Sequence, residues 1–225
     1  MINMNKIKVL DNTCIKLLAI SIMLFNHIGA IFFNDAPLYI KVGEIGFPLF
    51  AFCIAEGFYY TKNRKKYLGN LFIFALITEL IFDYAFYKNI NILHQNVLFT
   101  FCFAIVFLMI YEHINKSKMS LLAKTLLISL ILIIFLLLST LSFTDHNTYG
   151  ILLIFIFYVF RDQPVIKYSF IAIILCVAFR YGYALLSIPI ILLYNGKKGY
   201  NLKYFFYAFY PAHLLILIII RALIS

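Results

Sequence analysis

The stretch SLLAKTLLISLILIIFLLLSTLSF, residues 120–143, decides the fold class of this chain. It contains a single charged side chain, Lys124. A helix needs about 20 mainly apolar residues to cross the hydrocarbon core of a bilayer, where its backbone polar groups must be hydrogen-bonded internally. Residues 120–143 are therefore predicted to span a membrane.

Similar apolar stretches recur along the whole chain. Hydrophobic residues make up 64% of the 225 residues, charged residues make up 12%, and the mean hydropathy is +0.97. A soluble globular domain has a very different composition. We predict an all-α, multi-pass membrane bundle of about nine spans, at residues 14–33, 38–60, 67–87, 95–112, 120–143, 148–160, 165–179, 182–194 and 203–224. The sixth and eighth are short enough to be tilted, re-entrant or merged with a neighbour, and short connections make residues 1–225 one transmembrane domain.

The basic residues between the spans indicate the orientation, because cytoplasmic loops are enriched in lysine and arginine. With the N-terminus in the cytoplasm, all but four of the 19 basic residues lie on the cytoplasmic side, the exceptions being Lys41, Lys88, Arg180 and Arg221. An odd number of spans then places the C-terminus outside. This topology, together with contact with anionic lipid, explains the net charge of +10. The charge therefore does not indicate binding to nucleic acid.

Several titratable side chains lie inside the predicted spans, where a charged group costs about 2.5–3.5 kcal/mol on insertion scales. They are His27, Glu44, Glu56, Glu79, Asp83 and His213. On the predicted topology most of them fall in the outer half of the membrane, with His213 near mid-depth. We interpret this distribution as a polar site inside the bundle, with Asn26 beside His27 lining an adjoining part of it.

Each of these residues also has a purely structural interpretation. His27 could be a neutral imidazole that bonds across helices, and Glu44 could merely reach the membrane surface. Glu56 could pair with the basic run TKNRKK, residues 61–66, or help to hold a ligand. Glu79 and Asp83 lie four residues apart on one helix face and fit a polar packing network. The four cysteines show no metal-ligand spacing, so we predict no metal site.

Three motifs are expected to shape the backbone. In GEIGFPLF, residues 43–50, two glycines and Pro48 allow close helix approach and interrupt the regular hydrogen-bond ladder. In LLYNGKKGYNLKYFFY, residues 192–207, Asn195 and the glycines form a turn that carries lysines. In FYPAHL, residues 209–214, Pro211 loosens the helix just before His213.

Together, MLFNHIG (23–29), GEIGFPLFAFCIAEGFYYTKNRKKYL (43–68), NVLFTF (96–101), LLYNGKKG (192–199) and FYPAHL resemble the TraX family. The resemblance runs in the same order through nearly the whole chain. The family is named for an inner-membrane enzyme that N-acetylates the pilin of conjugative pili. The resemblance implies an acetyltransferase of the bacterial cytoplasmic membrane, with acetyl-CoA as co-substrate. One departure is that Asn26 precedes His27 where we expect an aspartate, so a carboxylate such as Glu44 would have to orient the imidazole.

The expected mechanism assigns roles to ten residues. His27 acts as general base or transient acetyl carrier, Glu44 orients it, and Asn26 and His213 serve as oxyanion donor or second base. The phosphates of coenzyme A bind at a cytoplasmic mouth formed by Glu56, Arg64, Lys65, Lys66, Lys197 and Lys198. The acceptor stays open between a protein N-terminus, a glycan and a lipid carrier.

Two rival functions would also place polar groups inside a bundle. One is a transporter for a small solute or a lipid-linked intermediate, although the sequence shows no inverted repeat. The other is a noncatalytic assembly factor for surface appendages, in which the polar residues only fix helix packing.

Overall fold

The computed structural model describes residues 8–224, and this part of the chain is folded into helices without an extended strand. The helices are α1 (Asn12–Phe32), α2 (Pro37–Gly43), α3 (Gly46–Tyr60), α4 (Arg64–Phe86), α5 (Val97–Lys116), α6 (Leu121–Leu141), α7 (Asn147–Val159), α8 (Pro164–Ala178), α9 (Ser187–Leu192) and α10 (Lys203–Ile224). A short 3-10 turn, Tyr183–Leu186, leads into α9.

The prediction of a multi-pass helical membrane protein is confirmed. Within the described residues, six helical segments are long and apolar enough to cross a bilayer: Asn12–Phe32, Pro37–Tyr60, Arg64–Phe86, Val97–Lys116, Leu121–Leu141 and Lys203–Ile224. The other three predicted spans coincide with shorter apolar helices, Asn147–Val159, Pro164–Ala178 and Tyr183–Leu192. The count of nine spans is therefore not confirmed.

The interruption predicted at GEIGFPLF is present as the break between α2 and α3. Gly43 ends α2 directly against the side chain of Asn26 on α1, where an added Cβ would overlap the amide group. Pro48 lies in the first turn of α3, where a missing N–H costs no helical hydrogen bond. This break allows the chain to run close beside α1.

Hydrogen bonds between loops define two ends of the bundle. At one end, the residues before α1 meet the loop after α9, through Leu10 N to Leu193 O (3.0 Å) and Asn12 N to Lys197 O (2.9 Å). At the other end, the loop after α4 meets the loop after α6, through Gln95 N to Phe143 O (2.9 Å). We call these the basic end and the opposite end, because the former carries the basic loops 61–66 and 195–203.

The largest apolar core lies around α3 and α7, which pack on each other and on α5. Leu49, Phe58, Phe107, Ile151 and Ile154 are buried in it. The outermost helix is α6, where only Phe135 and Ser139 are buried. A second, smaller cluster between α4 and α10 contains Phe82, Ala85, Tyr210 and Leu214, and it packs against α1 through Met23 and Ile31. This second cluster positions the candidate site.

Candidate functional site

The structure brings the two predicted catalytic histidines into direct contact. His27 lies on α1 and His213 on α10, 186 residues later in the sequence. Their Nδ1 and Nε2 atoms, respectively, are 2.8 Å apart, which is a hydrogen bond. The first and last described helices therefore share one polar centre.

Aromatic side chains surround this histidine pair. Phe86 from α4 meets the edge of the His27 ring, with the ring centroids 5.2 Å apart. Phe209 and Tyr210, one turn before His213, lie with their centroids 4.9 Å and 5.7 Å from its ring. His213 is buried, and His27 is partly exposed. As a whole residue, His27 therefore keeps more exposed surface than His213.

A backbone carbonyl holds the second histidine. His213 Nδ1 lies 2.8 Å from the carbonyl oxygen of Phe209, one helical turn earlier. The helix continues through Pro211, whose missing N–H leaves the carbonyl four residues before it without its usual helical donor. The carbonyl that Pro211 leaves without a donor is that of Tyr207 and not that of Phe209, so the contact of His213 Nδ1 does not arise from the proline.

The side chains of Asn26 and Glu44 make their hydrogen bonds to backbone groups and not to the histidine pair. The Asn26 amide donates to the carbonyl of Tyr39, at 3.2 Å, and so ties α1 to α2. The buried carboxylate of Glu44 accepts hydrogen bonds from the backbone N–H groups of Tyr181 and Tyr183, at 2.8 Å and 2.9 Å. Neither side chain bonds to His27. The two residues organise loops and helix contacts beside the pair.

A cavity of about 410 Å³ opens at the basic end and reaches toward the histidines. One of its walls is the stripe of α1 formed by Lys16, Ile20 and Met23, and another is the stripe of α10 from Lys203 to Tyr210. The Tyr210 ring lines the cavity and lies 6.2 Å from the His27 ring, centroid to centroid. Neither histidine lines the cavity, and Tyr210 is the residue that lies between the cavity and the pair.

The helical period explains why these residues share the cavity. Steps of three, four and seven residues return to one face of a helix, so His27 follows Lys16, Ile20 and Met23 along α1. In the same way His213 follows Lys203 and Tyr210 along α10. Each helix thus presents a lysine at the mouth of the cavity and a histidine beyond its inner end. The sequence contained this signal, although the predicted phosphate-binding set did not include Lys16 or Lys203.

The predicted phosphate-binding residues divide into two groups. Lys66 and Lys198 line the cavity, together with Lys16 and Lys203. Lys65 and Lys197 are exposed neighbours that do not line it. The mouth of the cavity is therefore basic, with a partly different set of lysines from the one predicted.

The remaining predicted cation, Arg64, is held in an ion pair. Its guanidinium group makes two hydrogen bonds to the carboxylate of Glu112 on α5, one of them at 2.7 Å. The hydroxyl of Tyr158 donates to the same carboxylate. Arg64 therefore joins α4 to α5 and does not line the cavity.

Glu56 lines the cavity, and its carboxylate is bound by an arginine for which the sequence predicts no role. Arg161, in the turn between α7 and α8, contacts its two carboxylate oxygens at 2.7 Å and 3.1 Å, and also the hydroxyl of Tyr60 at 2.9 Å. The hydrogen bonds that Arg161 donates to the Glu56 carboxylate raise the pKa of the guanidinium above its ordinary value. The Arg161 guanidinium is therefore protonated over the physiological range, and Glu56 pairs with Arg161 instead of the lysines of residues 61–66.

Glu79 and Asp83 bind backbone at the opposite end. Glu79 accepts from the N–H of Asn96 at 3.0 Å, and Asp83 from the N–H of Asn91 at 3.0 Å. Both bonds fix the loop that follows α4, as the polar packing interpretation predicts. Among residues 8–224, no group of three histidine, cysteine, aspartate or glutamate side chains is arranged to hold a metal ion.

Comparison with known proteins places this architecture in a family. Residues 11–221 match the model of the TraX protein family. The chain is also similar to the protein named "Probable fimbrial assembly protein FimC, serogroup H1" of Dichelobacter nodosus, with 29% identity over 235 aligned positions that cover 90% of this chain and 92% of that protein. No solved structure matches the chain. The family match covers nearly all of the described residues, and the chain belongs to the TraX family.

Proposed function

We propose that this chain is an integral-membrane acetyltransferase that moves an acetyl group from acetyl-CoA to an amine or hydroxyl acceptor. The observation that carries the proposal is the hydrogen-bonded pair of His27 and His213 beyond the inner end of a lysine-lined cavity. A basic mouth suits a polyanionic coenzyme, and the lone pair of a neutral imidazole can take a proton from an acceptor. The two features lie on the same faces of α1 and α10.

Acetyl-CoA enters from the cytoplasm, which is the side of the basic end in the predicted orientation. The ammonium groups of Lys16, Lys66, Lys198 and Lys203 face its phosphates at the mouth. From Lys203 to Tyr210 the cavity follows α10 for about two turns, or roughly 10 Å. The narrow thioester arm extends along this path toward the histidines.

The chemical step is an acyl transfer with His27 as general base. His27 takes the proton from the acceptor as its nitrogen or oxygen attacks the thioester carbonyl. The carbon–sulfur bond then breaks, and the coenzyme A thiolate recovers that proton from the imidazolium. The products are the acetylated acceptor and free coenzyme A, and His27 returns to its neutral form.

The acceptor is a surface molecule approaching from the outer side of the cytoplasmic membrane. The Dichelobacter nodosus relative is named as a fimbrial assembly protein, which favours a pilin-like or other surface protein over a soluble metabolite. A glycan or a lipid carrier offers the same nucleophiles. The same name also supports the second candidate, a noncatalytic assembly factor in which the histidine pair only joins α1 to α10.

Labelled acetyl-CoA separates the two candidates. Membranes that contain the chain and natural acceptors are expected to incorporate radiolabelled acetyl groups, and His27→Ala is expected to reduce incorporation by at least about 100-fold. The matched control is His113→Ala, since His113 is exposed on α5 near the basic end, away from the pair. It should transfer acetyl normally.

Both variants must insert into the membrane at the level of the unmodified protein for this comparison to hold. Equal labelling by His27→Ala and the unmodified chain would overturn the role of His27. No labelling above empty membranes would favour the assembly factor.

A further inference from the structure

We infer that His213 is the positioning residue of this site and that Nε2 of His27 is the atom that takes the proton. The inference rests on the proposed function for its reaction, but the arrangement of protons that it requires follows from the hydrogen bonds of two neutral imidazoles. It gives His213 a different role from the second base or oxyanion donor expected from the sequence.

The Phe209 carbonyl fixes the tautomer of His213. A carbonyl oxygen only accepts hydrogen bonds, so His213 Nδ1, at 2.8 Å, must carry the hydrogen in that bond. A neutral imidazole carries one N–H hydrogen. His213 Nε2 is therefore a lone-pair acceptor.

The same reasoning extends to His27. His213 Nε2 lies 2.8 Å from His27 Nδ1, and a bond between two nitrogens needs one hydrogen between them. Because His213 Nε2 has none, His27 Nδ1–H donates. The free lone pair of neutral His27 is then on Nε2, at the far side of its ring from His213.

The ring geometry supports a true N–H···N bond. The two rings are nearly parallel, at 13°, and their centroids are 5.0 Å apart. Rings stacked face to face could not bring one nitrogen of each within 2.8 Å and keep their centroids so far apart. The rings therefore lie edge to edge, with the bond along the direction of the nitrogen lone pair.

His213 accepts the hydrogen bond from His27 Nδ1–H that a carboxylate would otherwise accept. A base of this type needs a partner on its second nitrogen that holds the tautomer and the ring orientation. Asn26 bonds to Tyr39 and Glu44 to the loop at Tyr181. Across residues 8–224, no aspartate or glutamate is within hydrogen-bond distance of either imidazole. The neutral His213, itself anchored to backbone, fills the position.

This arrangement also suits the membrane interior. When His27 Nε2 takes a proton, its Nδ1 proton can shift toward His213 Nε2, so that two rings share one positive charge. Spreading the charge reduces the cost of holding it away from water. An aspartate partner would instead leave a lone negative charge at this depth whenever His27 is neutral.

The test is the nitrogen spectrum of the full-length protein in lipid, with histidines labelled by ¹⁵N. His27 is expected to show a protonated Nδ1 and an unprotonated Nε2, with a scalar coupling across the bond to His213 Nε2. A His27 that is protonated on Nε2 instead, or the absence of the coupling, would overturn the inference. His27→Ala identifies its signals, and this measurement needs no acetyl transfer.

Two variants of His213 test the positioning role in the reaction. His213→Leu removes the acceptor and keeps an apolar volume, and kcat is expected to fall about 100-fold with KM unchanged. His213→Gln can accept through its amide oxygen and should recover about tenfold of that loss. In His213→Leu, the His27 spectrum should change to a mixture of tautomers.

An unchanged kcat in His213→Leu, in a protein that unfolds at the normal temperature, would contradict the positioning role. If the unmodified chain transfers no acetyl group, the proposed function fails while the spectrum still decides the tautomers. The two failures are therefore distinguishable.

Discussion

The two arginines and the cavity-lining lysines at the basic end of the bundle have opposite roles. Arg64 and Arg161 are bound by two hydrogen bonds each to a glutamate on a different element. Lys66 and Lys198 line the open mouth of the cavity, and within the described chain neither has a carboxylate within 4.0 Å. Residues of the same charge thus either join two elements through an ion pair with a glutamate or remain without a carboxylate partner at the cavity mouth.

The chemistry of the two side chains explains the division. The planar guanidinium group matches a carboxylate through two parallel hydrogen bonds, so arginine is suited to a permanent pair between helices. The lysine ammonium is a strongly hydrated point charge on a flexible chain, and it can meet a ligand that binds and leaves. The difference indicates that the arginines hold the helices together at this end and that the cavity lysines can bind a ligand.

Breaking an arginine clamp should have the largest effect on stability. Arg161→Met leaves the buried Glu56 carboxylate without its partner, and an uncompensated buried charge costs about 3 kcal/mol. We expect a clearly lower unfolding temperature for the purified protein in detergent. The double variant Glu56→Gln with Arg161→Met should regain part of the loss, because no lone charge is left.

The control for this experiment is Lys62→Met, which makes the same substitution of charge at an exposed position of the neighbouring loop. It should unfold at nearly the normal temperature. Equal unfolding temperatures for Arg161→Met and Lys62→Met would show that the Glu56–Arg161 pair is not a clamp.

Removing the cavity lysines should affect binding and leave the fold intact. Lys66→Ala with Lys198→Ala is expected to raise KM for acetyl-CoA about tenfold and leave kcat unchanged, since each exposed pair contributes up to about 1 kcal/mol. The dependence of KM on salt should also become weaker, because fewer charges remain to be screened. Initial rates at several salt concentrations measure both effects.

The chain offers a matched control one residue away from each of these lysines. Lys65→Ala with Lys197→Ala removes the same charge from the same loops, but neither residue lines the cavity. Its KM should stay within about twofold of the normal value. If both double variants raise KM equally, the net charge of the surface decides binding and the mouth has no special role.

The sequence predicted the class of fold because that class depends on local pattern. The run at residues 120–143 became α6, and every other predicted span has a helical counterpart. The number of membrane crossings depends on the length of each helix. The predicted span at residues 182–194 is divided between a 3-10 turn and the six residues of α9. Gly182, with φ of +69°, provides the left-handed turn before it, a conformation that glycine adopts readily.

The sequence indicated which polar residues lie inside the bundle, but not which of them contact one another. Periodicity shows that Lys16 and His27 share one face of α1, but not that this face meets α10. The bond between His27 and His213 requires two helices from opposite ends of the sequence to pack together. Arg161 gave no local signal at all, since only the packing of α3 against α7 brings its turn to Glu56.

The smallest expected effect distinguishes the two candidate partners of His27. Glu44 was expected to orient that imidazole, but its carboxylate binds the N–H groups of Tyr181 and Tyr183. Glu44→Gln keeps one acceptor oxygen and should destabilise the protein by only about 1 kcal/mol. Its kcat should stay within about twofold of normal, because the change leaves His27 and its Nδ1 donor bond untouched.

A large loss of kcat in Glu44→Gln, with an unfolding temperature near normal, would restore Glu44 as the orienting group. Steady-state rates measured beside His213→Leu make the comparison direct, since each variant removes one of the two proposed partners. A carboxylate bound to two backbone N–H groups has little remaining capacity to hold an imidazole on another helix. We therefore expect kcat to fall in His213→Leu and to stay near normal in Glu44→Gln.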